Sequence, residues 1–396
     1  MVKRSRLMTM EKFTGLKGKA FLFLMFFWFL WFMNFSCRTI FAPIMPLIED
    51  EFAISHARAG SLFAFTSLGY GCSLFFSGIF SGFLGYKRSI IVSMIISSCV
   101  FFVIPYVASF NVLVFLSFIL GVSTGVYLPS IIPFITEYYD ERTWGRAISI
   151  HDTAASTSIF ASPLIAIFLL QYLSWRGIFN VFGVFFVISI VIFCLTSSEV
   201  KVQSTQKGFF TSLMKSRELW IFGTLWVFAA GACLGLYFVM PLYLTKELGL
   251  DIKYANMIFG ISRLGGVFTA VLTGFIIDRF SPKKAIFLVV LITGILTMLI
   301  AFKEIRYIEV FLFLQASIVM GFFPVCLVSV SKIFEREKRG MATGFIVTLG
   351  VIFGLGIVPY FLGLVGDYAS LGSGIFFFGI LVVLSSGLAY FLKELK

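Results

Sequence analysis

Twelve stretches of about 20 or more mostly apolar residues follow one another along this 396-residue chain, at 20–44, 59–81, 89–108, 111–136, 147–170, 177–198, 220–244, 254–277, 284–302, 308–331, 341–365 and 372–392. Each is long enough to cross a hydrocarbon layer of about 30 Å as a helix. No single water-facing core could bury so much apolar side chain, and the mean hydropathy of +1.02, with 59% hydrophobic and 13% charged residues, points the same way. Inside lipid a helix satisfies its own backbone polar groups. The expected fold class is therefore an all-α membrane protein with twelve transmembrane helices.

The chain is also one half written twice. Met45-Pro46-Leu47 and Met240-Pro241-Leu242 stand 195 residues apart, as do Gly145 and Gly340. Gly78 and Gly274, and Lys87-Arg88 and Lys283-Lys284, keep an offset of 196. Six spans fall in each copy, which predicts two pseudo-symmetric six-helix bundles of the kind carriers are built from. The expected division is a cytoplasmic N-terminus over 1–19, a first bundle over 20–198, a cytoplasmic linker over 199–219, a second bundle over 220–392 and a cytoplasmic C-terminus over 393–396.

The net charge of +12 is explained by its placement. With the N-terminus inside, 23 of the 31 Lys and Arg fall on cytoplasmic segments, 6 outside and 2 within spans. That bias is the positive-inside signal of a plasma (inner) membrane protein with both termini cytoplasmic. Nucleic acid is not an expected partner, because no soluble domain presents a basic surface. Membrane lipid is, since Lys3, Arg4 and Arg6 suit anionic headgroups. The first apolar stretch exceeds a signal-peptide core and reads as a retained helix. The six cysteines lie within spans without CxxC spacing and read as packing residues. No phosphate-binding glycine loop, metal-spaced cluster or nucleophile triad occurs, so neither a cofactor nor an enzymatic activity is expected. The chain is expected to work as a monomer.

Between the second and third spans of the second half stands Gly274-Phe275-Ile276-Ile277-Asp278-Arg279-Phe280-Ser281-Pro282-Lys283-Lys284. It resembles the signature loop G-x-x-x-D-R-x-G-R-[RK] of the major facilitator superfamily. The first half carries a degraded copy from Gly78 to Lys87-Arg88, with Gly82 in place of the acid. Glu141-Arg142-Thr143-Trp144-Gly145-Arg146-Ala147 and Glu337-Lys338-Arg339-Gly340-Met341-Ala342 are similar to the family's E-R-G-R-A entry to the fifth helix of each half, and Trp175-Arg176 opens the sixth span as is common there. The resemblance covers essentially the whole chain and implies a secondary transporter working by alternating access. A carboxylate at such a loop can charge-pair with the positive N-terminus of a helix in the opposite bundle. Asp278, with Arg279, Gly274, Lys87 and Arg88, is thus the expected conformational latch.

Two charges are left over. Arg38 lies within the first span and Arg263 within the eighth, at comparable depth, and the repeat mates (Cys233 for Arg38, Ser67 or Leu68 for Arg263) carry no charge. A buried cation costs roughly 2.5–3.5 kcal/mol on insertion scales, so packing alone does not account for either. Two guanidiniums facing one cavity would bind a carboxylate or phosphate through paired hydrogen bonds. Arg38 and Arg263 are therefore the expected substrate-binding residues for a small anionic molecule. Cys37-Arg38-Thr39-Ile40-Phe41-Ala42-Pro43-Ile44-Met45-Pro46 resembles the first helix of anion/cation symporters and organophosphate antiporters, where an Arg eight residues before a Pro contacts substrate. Gly260-Ile261-Ser262-Arg263-Leu264-Gly265 is similar to the eighth helix of monocarboxylate and oxalate carriers. The rival readings have Arg38 snorkelling outward or paired with Glu49 or Asp50, and Arg263 as a structural link between bundles. Proton-driven efflux of hydrophobic compounds or drugs is the alternative function.

For H+ as coupling ion the candidates are Asp152 and His151 at the start of the fifth span. The competing reading is that Asp152 merely charges its own helix N-terminus and His151 lines the mouth. Without such a site the carrier would exchange one anion for another.

Overall fold

The computed structural model describes residues 13–199, 213–266, 268–269, 281–302, 307–335 and 338–392. The first bundle contains α1 (Lys19–Phe52), α2 (His56–Leu84), α3 (Tyr86–Tyr106), α4 (Phe110–Tyr138), α5 (Glu141–Leu170) and α6 (Trp175–Thr196). The second contains α7 (Arg217–Glu247), α8 (Ile252–Ile261), α9 (Pro282–Ile300), α10 (Ile308–Ile333), α11 (Arg339–Tyr368) and α12 (Leu371–Phe391). Eleven of these are long and apolar enough to cross a bilayer. The other, α8, opens the span expected over 254–277; residues 267 and 270–280, and with them Gly274, Asp278 and Arg279 of the expected latch, lie outside the described set. The ends of the molecule are named here by the linker: α6 finishes and α7 starts at the linker end, and the opposite end is distal.

Exposed side chains explain what surrounds the bundles. Phe83, Phe115, Phe168, Leu195 and Leu384 stand open on the outer faces of their helices. So large an apolar surface would drive a water-soluble protein to associate, whereas lipid tails cover it at no cost.

The helices break where their sequence removes or loosens a backbone bond. In α1 the helix turns at Ile40, just before Pro43, which has no N–H to offer the carbonyl four residues back. The corresponding helix of the second bundle, α7, widens into π-helical turns at Gly231–Gly235 and Tyr243–Glu247 on either side of Pro241. Likewise α4 is interrupted at Val126 and α10 at Gly321, while α11 carries a π-helical stretch over Gly350–Ile357 ahead of Pro359. Such turns leave carbonyls free to accept from elsewhere.

Close packing uses glycine where backbones meet. On α2 a Cβ at Gly69 would fall 2.3 Å from the Phe118 carbonyl oxygen of α4, and one at Gly121 of α4 would fall 2.1 Å from that of Thr66. Small residues at such crossings let membrane helices touch backbone to backbone. At the distal end Arg176 ties three helices: its guanidinium meets Glu51 of α1 at 2.7 Å and donates to the carbonyls of Pro105, in the last turn of α3, and Val107, just beyond it, at 3.1 and 2.8 Å. The Trp-Arg pair that opens α6 is thus a structural clasp.

The two bundles meet along three seams. Between α2 and α11 contact runs from Gly363 against the backbone of His56 and Ala57, through Gly60 against Pro359, to Gly71 against Ile352. Between α5 and α8, Gly260 rests on Phe160 and Leu164. Near α1 and α7 the rings of Phe63 and Phe238 stack with centroids 4.2 Å apart. At the distal end the seam is polar. Asp367 of α11 accepts from the backbone N–H groups of His56 (2.8 Å) and Ala57 (3.0 Å), capping the start of α2 from the other bundle. Lys246 of α7 pairs with Asp50 of α1, and the Asn256 side-chain amide donates to the Pro43 carbonyl at 3.0 Å. Together these contacts close the distal side.

Candidate functional site

On the first bundle the site is built on one face of α1. Asn34 and Arg38 are one turn apart and therefore share a side of the helix. Asn34 donates to the Thr124 carbonyl at 3.2 Å, where α4 is about to break, yet its buried Oδ1 has no partner. Arg38 is only 7% exposed, and among the described residues its buried Nε and Nη2 find no hydrogen-bond partner. Aromatic faces hold it instead: its guanidinium carbon lies 4.0 Å from the Tyr70 ring centroid and 4.5 Å from that of Phe35. The acids that could have satisfied it are engaged elsewhere, Glu49 with His56 at 2.9 Å and Asp50 with Lys246. Behind it Ser36, Thr39, Ser158 and Ser162 form a chain of hydroxyls between α1 and α5, with separations of 2.7 to 2.9 Å.

The second bundle supplies Arg263, also 7% exposed, whose Nε has no partner among the described residues. Its guanidinium lies 5.0 Å from the Phe259 centroid and 5.2 Å from that of Tyr237, and Nη1 donates to the Cys233 carbonyl at 3.4 Å. That carbonyl belongs to the π-helical turn of α7, as does that of Ala232, which accepts from Gln315 at 2.9 Å. Cys233 is the repeat mate of Arg38, so the two copies exchange roles. One half places its Arg on the first helix against a Tyr on the second; the other places its Tyr on the first helix against an Arg on the second. The cavity beside Arg263, lined by Ser156, Ile159, Cys233 and Met320 among others, encloses about 10 Å³. That is room for about one water, so an organic solute enters only if Met320 or Ile159 moves aside.

Tyr237 joins the two sides. Its hydroxyl lies 3.4 Å from the Thr39 carbonyl and 3.3 Å from the Ile159 carbonyl, both in the opposite bundle. Each of those carbonyls stands four residues before a proline, Pro43 and Pro163, and so has lost its usual helical donor. A fully buried Tyr hydroxyl needs an acceptor, and these are the carbonyls left needing a donor.

The two proton-site candidates separate. His151 is fully buried inside the first bundle, which corrects its placement at the mouth: its ring lies parallel to Trp31 and Tyr127 at centroid distances of 6.0 and 6.2 Å. Nε2 is 3.5 Å from the Tyr127 hydroxyl, and Nδ1 is without a partner. Asp152 is exposed. It stands one turn from Ser156 on the face of α5 that lines the Arg263 cavity, and so looks into the gap between bundles.

Lys87 and Arg88 serve their own bundle. Lys87 donates to the carbonyls of Cys194 (3.3 Å) and Ser197 at the end of α6, and Arg88 lies 3.9 Å from Glu199. A cation at a helix C-terminus complements the unpaired carbonyls there. Sequence reasoning passed over Tyr70 and Asp367. An aromatic in an aromatic-rich chain carries no signal of its own, and Asp367, in the last turn of α11, falls between the expected spans 341–365 and 372–392, where an acid is unremarkable.

Known proteins share the sequence pattern and the fold of this chain. The family model of the Major Facilitator Superfamily matches residues 27–303 and 235–396. The Protein TsgA homolog of Yersinia enterocolitica is 24% identical over 323 residues, covering 78% of this chain and 79% of its own. The gentisate transporter of Corynebacterium glutamicum is 21% identical over 397 residues, covering 94% of this chain and 87% of its own. In shape the chain matches a crystal structure of a bacterial homolog of the human lysosomal transporter Spinster, inward-facing and occupied. The TM-score is 0.83 at 14% identity, over 96% of this chain and 98% of that one.

Proposed function

Because the chain belongs to the major facilitator superfamily, we propose that it carries a small organic anion, such as a carboxylate, across the plasma membrane by alternating access. It is a multi-pass integral membrane protein and a secondary transporter, not an enzyme. The observation that carries the anion reading is a pair of buried guanidiniums, one per bundle, each with an orphaned N–H and, among the described residues, no carboxylate within ion-pair distance. Leaving such groups unsatisfied costs several kcal/mol, and an anion bridging them would satisfy both. Each guanidinium lies near aromatic rings and keeps at least one buried N–H without a partner among the described residues, from which a planar carboxylate would accept. A relative named for transport of gentisate, itself a carboxylate, supports the same substrate class.

In this reading the linker end is cytoplasmic, as the Lys and Arg distribution requires. The distal contacts of Asp367, Lys246 and Asn256 close the outside while the anion exchanges with the cytoplasm. Asp152, facing the gap, is the proposed proton carrier; His151 is walled in by aromatic rings and positions Tyr127.

Uptake into proteoliposomes is the test. Arg38→Gln and Arg263→Gln are each expected to lower uptake of a carboxylate substrate at least 100-fold, with unchanged abundance and thermal midpoint. Full transport by either variant contradicts the anion reading. Asp152→Asn is expected to keep exchange of one anion for another but to lose accumulation driven by a pH gradient; retained pH-driven accumulation removes Asp152 from the coupling role.

A further inference from the structure

Away from the central site, α2 and α4 enclose a groove between their distal halves. They touch at Gly69 and Gly121 and again where Ser117 donates to the Leu62 carbonyl at 3.2 Å, and on their outer side they leave a space of about 620 Å³. Phe65, Leu68, Phe115 and Phe118 line its depth, and Arg58 and Asn111 stand at its distal mouth. It opens onto the lipid-facing surface, where Phe65 and Phe115 are exposed. Arg58 is exposed too; it donates to Asn111 Oδ1 at 2.9 Å, and its guanidinium lies 5.6 Å from the Phe110 ring centroid. Among the described residues no carboxylate lies within ion-pair distance of it.

The dimensions name the occupant. Ten residues separate Arg58 from Leu68, or about 15 Å along the helix. Half of a hydrocarbon core of about 30 Å is the same length. The groove thus offers a cation at headgroup level, an aromatic trough one leaflet deep, and a floor near the midplane where the helices close. An extended protein segment would leave its backbone polar groups facing Phe side chains, whereas an acyl chain would not.

We propose that this groove is a binding site for an anionic phospholipid of the distal leaflet, its phosphate on Arg58 and an acyl chain along Phe65, Leu68, Phe115 and Phe118. The lipid would lean on α2, the helix whose neighbouring face seals against α11. Zwitterionic lipids carry the same phosphate but bring a cation of their own, so net headgroup charge decides the preference.

Photo-crosslinking tests the site directly. Full-length protein in mixed vesicles is exposed to phosphatidylglycerol or phosphatidylcholine bearing the same diazirine acyl chain, and the labelled peptides are mapped. Labelling of the Phe65–Leu68 and Phe115–Phe118 segments is expected to be about fivefold stronger from phosphatidylglycerol, and Arg58→Gln is expected to abolish that preference. Leu68→Trp, which fills the trough, is expected to lower labelling by both lipids while leaving Arg58 in place. Equal labelling of the wild type by the two lipids, or a preference that survives Arg58→Gln, overturns the proposal. So does loss of the signal to excess soluble glycerol phosphate, which would mean a free phosphate site.

Discussion

Arg38 shows how one residue can be legible in a sequence and its partners not. Its charge at mid-span marked it, because water is absent there and a cation must be answered. What answers it, the ring of Tyr70, comes from another helix and has no sequence spacing to betray it. The same holds at His56, in the first turn of α2 and ahead of the expected span 59–81. Its Nδ1 lies 2.9 Å from Glu49 Oε1, an ion pair between the end of α1 and the start of α2. His56→Gln is expected to lower the thermal midpoint, and an unchanged midpoint contradicts the His56–Glu49 pairing.

At the scale of elements, the prolines give the seam its chemistry. Pro43 and Pro163 lack the N–H that the carbonyl four residues back would accept, so the carbonyls of Thr39 and Ile159 are released, and the Tyr237 hydroxyl reaches them from the other bundle. Tyr237→Phe is expected to destabilise this closed arrangement by about 1 kcal/mol. In a Pro43→Ala, Pro163→Ala background, where each carbonyl regains a helical N–H, the same change is expected to cost much less. A double-mutant cycle on the thermal or denaturant midpoint reads that coupling; equal costs in the two backgrounds would separate Tyr237 from the prolines. The π-helical turn at Gly231–Gly235 was not legible, because its extra residue per turn depends on Gln315 and Arg263 arriving as donors.

The whole molecule follows from duplication followed by divergence. Apolar length and the 195-residue offset made the twelve-helix, two-bundle plan readable, since both are properties of the chain alone. The site is the place where the halves stop matching: Arg38 against Cys233, and Arg263 against Ser67 or Leu68. In the fold each mismatch is a buried guanidinium beside aromatic rings of its own bundle, and the Tyr237 hydroxyl reaches across to the other bundle. Closure of the distal side uses Asp367 on the N-terminus of α2, the same physics expected of Asp278 at the other end. Binding between the bundles is the premise of the transport cycle. A thermal-shift panel on purified protein tests it most directly, comparing carboxylates, phosphorylated metabolites and lipophilic cations on the wild type and on the Arg38→Gln and Arg263→Gln variants. One or more organic anions should raise the wild-type midpoint by several degrees and leave both variants unmoved. Stabilisation by lipophilic cations alone, or by anions equally in all three proteins, would contradict a substrate anion held between Arg38 and Arg263.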